Sequence, residues 1–191
     1  MSAQKKQMSD HDRRRIRYTF LIDANRINSR GRLQHMNTLE RWCKDKVIRI
    51  LMPQTAQDEA AHGSRERARK AYGYIMTLTE SRPEDEKLLN AIANILFPDG
   101  TATQNEKNDI EIVFNARKYA GILVTNDGGS HRQPGGILGS RDRLSKELGV
   151  EVLTDEEAVR LIRERIRERD DRERERCATS GQPLPEWVGK D

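Results

Sequence analysis

Aromatic residues make up only 5% of the 191-residue chain, and cysteine and histidine occur two and four times. With few rings to stack on nucleobases, any recognition of nucleic acid has to lean on backbone and shape. Cys43 and Cys177 are too few and too far apart for a disulfide framework or a zinc knuckle. Both are expected to be reduced, in a cytoplasmic protein. No apolar run approaches the roughly 20 residues that span a bilayer, so no membrane partner is expected. The charged N-terminus has no apolar segment behind it, unlike a secretory signal. Hydrophobic residues reach only 35%, so part of the chain must lie outside the core of one domain of about 150 residues.

What the chain does have is charge. Asp, Glu, Lys and Arg make up 35% of it, with a net charge of +4 and a pI of about 9.2. That balance permits a polyanionic partner without demanding one. Lys5, Lys6, Arg13, Arg14, Arg15 and Arg17 make residues 1–17 a basic, flexible arm, a candidate for phosphate contact. A globular domain is expected over 18–160 and a charged helical extension over 161–176, where Arg and Glu alternate as on a solvated helix or on a rod meeting RNA or a second subunit. A disordered tail is expected over 177–191, in which Trp187 beside Pro185 could dock onto a protein partner.

Short apolar runs at 18–22, 47–51 and 122–125 read as buried strands, and 150–153 as a fourth strand. Helices are expected between them. One runs from about 38 to 45 behind Asn37 and Glu40, and a long one from 54 towards 79, with Gly63 and Gly73 as weak points. Others run from Ser81 to about Phe97, from Thr103 to about Ala120, from Ser140 to Gly149, and onward from Thr154. Residues 128–139, rich in glycine, read as a loop. The alternation predicts an α/β three-layer sandwich, a parallel sheet of about four strands flanked by helices.

Within this frame four acids stand out. Asp23 directly follows the first strand and Asp127 follows Thr125 and Asn126 after the third, where open α/β sheets gather ligands. Asp109 lies three, four and seven residues before Ile112, Val113 and Ala116, on the face its helix turns to the sheet. Glu59, three residues after Ala56, faces inward more than its neighbour Asp58. Glu106 is set aside because it completes a capping box with Thr103. Carboxylates about 4 Å apart repel by roughly 4 kcal/mol at an effective dielectric of 20, so such a group protonates or recruits a cation. All-oxygen ligands without a Cys or His pair point to Mg2+ or Mn2+, and the economical chemistry is metal-dependent phosphodiester hydrolysis.

Asp23 with Asn25, the stretch from Pro53 to Glu59, Asp109 near the start of its helix, and Thr125-Asn126-Asp127 together resemble the PIN-domain ribonucleases over about residues 18–160. The resemblance implies a metal-dependent endoribonuclease in which Asp23, Glu59, Asp109 and Asp127 are catalytic. Asp23, Asp109 and Asp127 would hold the metal, and Asn25, Thr125 and Asn126 would support them. The family's further acid just past the TND sequence is replaced by Gly128-Gly129-Ser130, with Asp142 or His131 as substitutes. RNA contacts are expected from Arg26, Arg30 and Arg32 and from Arg65, Arg67, Arg69 and Lys70. The alternatives are a non-catalytic RNA-binding or assembly module with a vestigial site, the toxin of a toxin–antitoxin pair whose antitoxin-like partner meets the C-terminal region, or a DNA-directed nuclease; a homo-oligomer is compatible with each. A haloacid-dehalogenase phosphatase needs Asp where Asn25 stands, and no glycine-rich phosphate loop follows the first strand.

Overall fold

The computed structural model describes residues 9–78, 80–101, 103–128 and 135–191. After a short α1 (Asp10–Arg14), β1 (Thr19–Ile22) leads through a single 3-10 turn, Ala24–Arg26, to α2 (Gln34–Lys44) and β2 (Arg49–Pro53). Then come α3 (Gln54–Ala61), α4 (Arg65–Ala71), β3 (Ile75–Thr77), α5 (Glu86–Leu96), α6 (Gln104–Tyr119) and β4 (Ile122–Val124). The chain ends with α7 (Gly136–Gly139), α8 (Arg141–Leu148), β5 (Glu151–Leu153) and α9 (Asp155–Ser180).

The five strands form one parallel sheet in the order β3-β2-β1-β4-β5. Phe20, Leu21 and Ile22 of β1 are all fully buried. Successive side chains of a strand point to opposite faces, so both faces of the sheet's centre are covered. α2 and α9 pack on each other and reach β2 and β5, while α6 lies along β1 and β4 with α3 and α5 beside it. Among the described residues no helix is long and apolar enough to cross a membrane.

The helix expected over 54–79 is instead two helices and a fifth strand. Gly63 ends the first, and the Ser64 side chain starts the second by accepting from the Arg67 N–H. Ile75, Met76 and Thr77, of which Ile75 and Thr77 are β-branched strand formers, then add β3 to the sheet edge. The second strand lies two residues later than its apolar run, closing at Pro53, which also caps α3. α2 begins at Gln34, so Asn37 is inside the helix, where its side chain donates to the Gly31 carbonyl and accepts from Asn28.

Both chain ends depart from expectation. Of the arm, Ile16 is buried and its N–H donates to the Val47 carbonyl at 2.7 Å, while Arg15 and Arg17 stay exposed. Residues 1–8, including Lys5 and Lys6, and His131 with its neighbours Gly129 and Ser130 lie outside the described residues. α9 runs unbroken to Ser180, so no boundary falls at 160. Its charged stretch is not simply solvated, because Arg169, Asp170 and Glu173 are buried. Buried charges persist when paired, and Arg169 bonds to Asp170 at 2.6 Å and to Asp191 at 2.9 Å. The tail expected to be disordered folds back over this pair. Asp191 also meets Arg14, the Trp187 ring lies 4.6 Å from the Arg169 guanidinium, and Gly189 N–H donates to Asp170. Trp187 thus packs on its own chain.

Candidate functional site

With strand order β3-β2-β1-β4-β5, the chain leaves β1 to one side and returns through β4 on the other. The crevice beyond the carboxyl ends of β1 and β4 is therefore the topological switch point, where open α/β sheets bind ligands. The ladder runs one step past each strand: Asp23 N–H donates to the Val124 carbonyl at 3.1 Å and Thr125 N–H to the Leu153 carbonyl at 3.0 Å. Backbone bonds thus fix the positions of both polar residues.

A cavity of about 450 Å³ opens there, and Asp23, Glu59, Asp109 and Asp127 all line it. Each comes from a different element: the end of β1, α3, α6 and the turn after β4. Glu59 faces this space, as its helical phase implies, whereas Asp58 is exposed and lines a neighbouring hollow.

The hydrogen bonds among the supporting residues centre on Thr125, which is fully buried. Its hydroxyl donates to Asp23 Oδ2 at 2.6 Å and accepts from Asn25 Nδ2 at 3.1 Å and from the Asp127 N–H at 3.0 Å. Asn25 also donates to Asp23 and, through Oδ1, accepts from the Asn126 N–H at 3.0 Å. Of Asn126, then, the backbone is engaged in this cluster. Asp127 is held from the far side, its Oδ2 accepting from Ile137 N–H at 3.1 Å and its carbonyl from Leu138 N–H at 2.9 Å. Gly136 makes room for that grip: its φ is +75°, and a Cβ there would lie 2.5 Å from Asp127 Oδ2.

Electrostatics reflect the crowding. Burial, then the charges of Glu59 and Asp127, push the Asp23 carboxyl up to about 6, against the opposing hydrogen bond from Thr125. Asp109 is pushed up to about 8 by burial and by Asp127, Asp23, Glu59 and Glu106. Glu106, set aside as a cap, does both jobs. It accepts from Thr103 N–H at 2.7 Å and lines the cavity one helical turn before Asp109. A capping signal does not exclude a second role, and its i, i+3 spacing to Asp109 was the available clue.

The donor set is all oxygen and suits a hard dication. Among the described residues no three acidic, histidine or cysteine side chains form a ready-made metal cage. Mg2+ does not require one, since it keeps several waters and binds through one or two carboxylates. Asp142 is exposed on α8 and does not line the cavity.

The expected basic residues separate. Arg67 alone of them lines the acidic cavity, its guanidinium donating to the Ala24 carbonyl at 2.8 Å. Arg26 pairs with Asp155 and Lys70 with Glu40. Arg30 and Arg32 are exposed in the loop before α2. Arg65 and Arg69 line a different hollow with Tyr72.

No family model matches the chain, and no curated protein does either. Among solved structures, the crystal structure of VapBC2 from Rickettsia felis bound to a DNA fragment from their promoter is similar at a TM-score of 0.44 and 13% identity, over 71% of this chain and 98% of that one. The likeness is coarse; the α/β sheet described above stands on its own hydrogen-bond pattern.

Proposed function

We propose that the chain is a PIN-like, Mg2+- or Mn2+-dependent endoribonuclease. The observation that carries this reading is the meeting of four carboxylates from four elements in one cavity at the sheet's switch point. Burial and the neighbouring acids raise the carboxyls of Asp23, to about 6, and of Asp109, to about 8. Such a set gains from a counter-ion.

Asp23, Asp109 and Asp127 would hold the metal, with Glu59 completing the acidic wall. A bound ion would supply Lewis-acid charge and lower the pKa of an attacking water. The protein's share is orientation. Thr125 and Asn25 fix Asp23, and the Ile137 N–H fixes Asp127, so that two carboxylates are presented without reorganisation. Arg67, which lines the same cavity, would meet a substrate phosphate. No side chain is required as a covalent nucleophile, and the products are a 5′-phosphate and a 3′-hydroxyl.

The test is incubation of purified protein with mixed RNAs, with Mg2+, with Mn2+ and with EDTA, followed by mapping of cut ends. Cleavage that needs the metal and disappears in Asp23→Asn is expected. Undiminished cleavage by purified Asp23→Asn protein removes the proposal.

A further inference from the structure

A second, larger cavity, of about 880 Å³, lies at the opposite end of β1 from the acids. Among the described residues its cations are all arginines. Arg165, Arg169, Arg172 and Arg176 come from α9, at spacings of four, three and four residues. That places them on one helix face as a stripe about 16 Å long. Arg13, Arg15 and Arg17 form the facing wall, just ahead of β1, with Tyr18 between the walls. Only three acids, Asp12, Glu168 and Glu173, share the lining.

The arginines divide by what they already hold. Arg13 and Arg176 pair with Glu173, Arg165 with Glu168, and Arg169 with Asp170 and Asp191. Arg15, Arg17 and Arg172 are exposed, and their side chains make no ion pair or hydrogen bond to the described residues. In addition, the Nε of Arg13 and of Arg165 is shielded from solvent and meets no acceptor among the described residues. Shielded donors of this kind ordinarily have a partner.

We infer that this cavity is a binding groove for the backbone of a single-stranded nucleic acid, separate from the acidic cavity. In naming RNA as the strand bound, the inference rests on the function proposed above. Arginine's planar fork matches phosphate bidentately, and no lysine lines the groove among the described residues. A cation at nearly every helical turn fits a ligand whose charge repeats regularly: about 16 Å spans roughly five stacked nucleotides at 3.4 Å each. An acidic protein segment would need apolar pockets for anchoring side chains, and the only apolar liner among the described residues, besides the Tyr18 ring, is Ile16, which is buried. The groove and the acids are separated by the four residues of β1, about 13 Å. A trinucleotide is therefore too short to touch both, whereas a longer strand can be held in the groove while the acids act on it.

The experiment measures anisotropy of a fluorescein-labelled 20-mer oligouridylate between 50 and 300 mM KCl in EDTA, in an Asp23→Asn background that cannot cut. Adding Arg15→Glu, Arg17→Glu and Arg172→Glu together is expected to weaken binding at least 30-fold at 100 mM KCl. The slope of log K against log salt should flatten by about 2, three single-strand contacts at about 0.7 each. Lys87→Glu, an exposed charge outside the groove, is expected to change neither. If the reversed variant does not melt cooperatively, the three Arg→Gln changes serve instead, with the same direction expected. Binding by the triple variant equal to that of its parent, no binding by the parent at any salt, or equal competition by polyglutamate and oligouridylate at matched charge would each overturn the groove. Cleavage is read separately on otherwise wild-type protein: groove variants should still cut a trinucleotide while cutting the 20-mer poorly. A wild-type protein that cuts neither refutes the nuclease and leaves the binding result to stand.

Discussion

The Thr125 hydroxyl donates to Asp23 Oδ2 at 2.6 Å across residues 102 apart in sequence. The same oxygen accepts from Asn25 and from the Asp127 N–H, so one buried hydroxyl spaces two of the acids. Replacing it with an isostere that has no polar atom leaves two donors and a carboxylate oxygen short of partners. Thr125→Val is expected to cost about 1–3 kcal/mol in urea unfolding. It should also weaken Mn2+ binding in calorimetry; unchanged stability and affinity would contradict the arrangement described.

The raised carboxyls imply a pH dependence of the metal-free fold. In the unfolded chain Asp23 and Asp109 titrate near 3.8, and in the folded chain near 6 and near 8. The folded state thus holds protons that the unfolded state has released. The stability they confer is complete below about pH 4 and declines as pH rises through the two folded values. The melting temperature in EDTA should fall between pH 5 and pH 8. Asp109→Asn should flatten that fall above pH 6 and raise the melting temperature at pH 8, while abolishing metal-dependent RNA cleavage.

At Gly136 two demands coincide, a left-handed backbone and contact with the Asp127 carboxylate. Gly136→Ala is expected to cost about 1–3 kcal/mol from the backbone alone. Because the new methyl must displace Asp127, Mn2+ affinity should fall as well. A variant that loses stability but keeps full affinity would show that the carboxylate's place does not matter.

Arg169 is the hub of the C-terminal clasp, its side chain only 5% exposed beside Asp170 and Asp191. Arg169→Ala strands these carboxylates and should cost about 3–5 kcal/mol in denaturant unfolding. Trp187 fluorescence should shift with the loss of the stacked guanidinium. Arg165→Ala, at an exposed pair, is expected to stay within about 1 kcal/mol of the parent.

How much of this was legible beforehand depends on how local the signal was. The capping boxes at Thr103 with Glu106 and Thr154 with Glu157 mark helix starts that the structure shares, because a cap is settled within four residues. The runs behind β1, β2, β4 and β5 were readable as strands, with β1 and β4 buried along nearly their whole length. β3 was not: three residues following an Ala- and Arg-rich stretch carry no period of their own, and the sheet edge decides their conformation. In the charged half of α9 the burial of Arg169, Asp170 and Glu173 was not legible, because composition cannot distinguish a solvated charge from one buried against a partner more than twenty residues away, as Arg169 is against Asp191. For the acids, strand ends and helical phase indicated where they lie. The bonds through which Thr125, Asn25 and Gly136 hold them in place required coordinates.

β1 is the sheet's centre, yet it comes first in the chain and its neighbour β4 begins at Ile122. At a synthesis rate of about 5–20 residues per second, Phe20, Leu21 and Ile22 wait several seconds, with one side of the strand unpaired, before their final partner leaves the ribosome. During that interval the N-terminal half is a greasy, open-edged fragment. Nascent chains stalled before residue 122 should therefore be far more prone to stick together than chains stalled after residue 153.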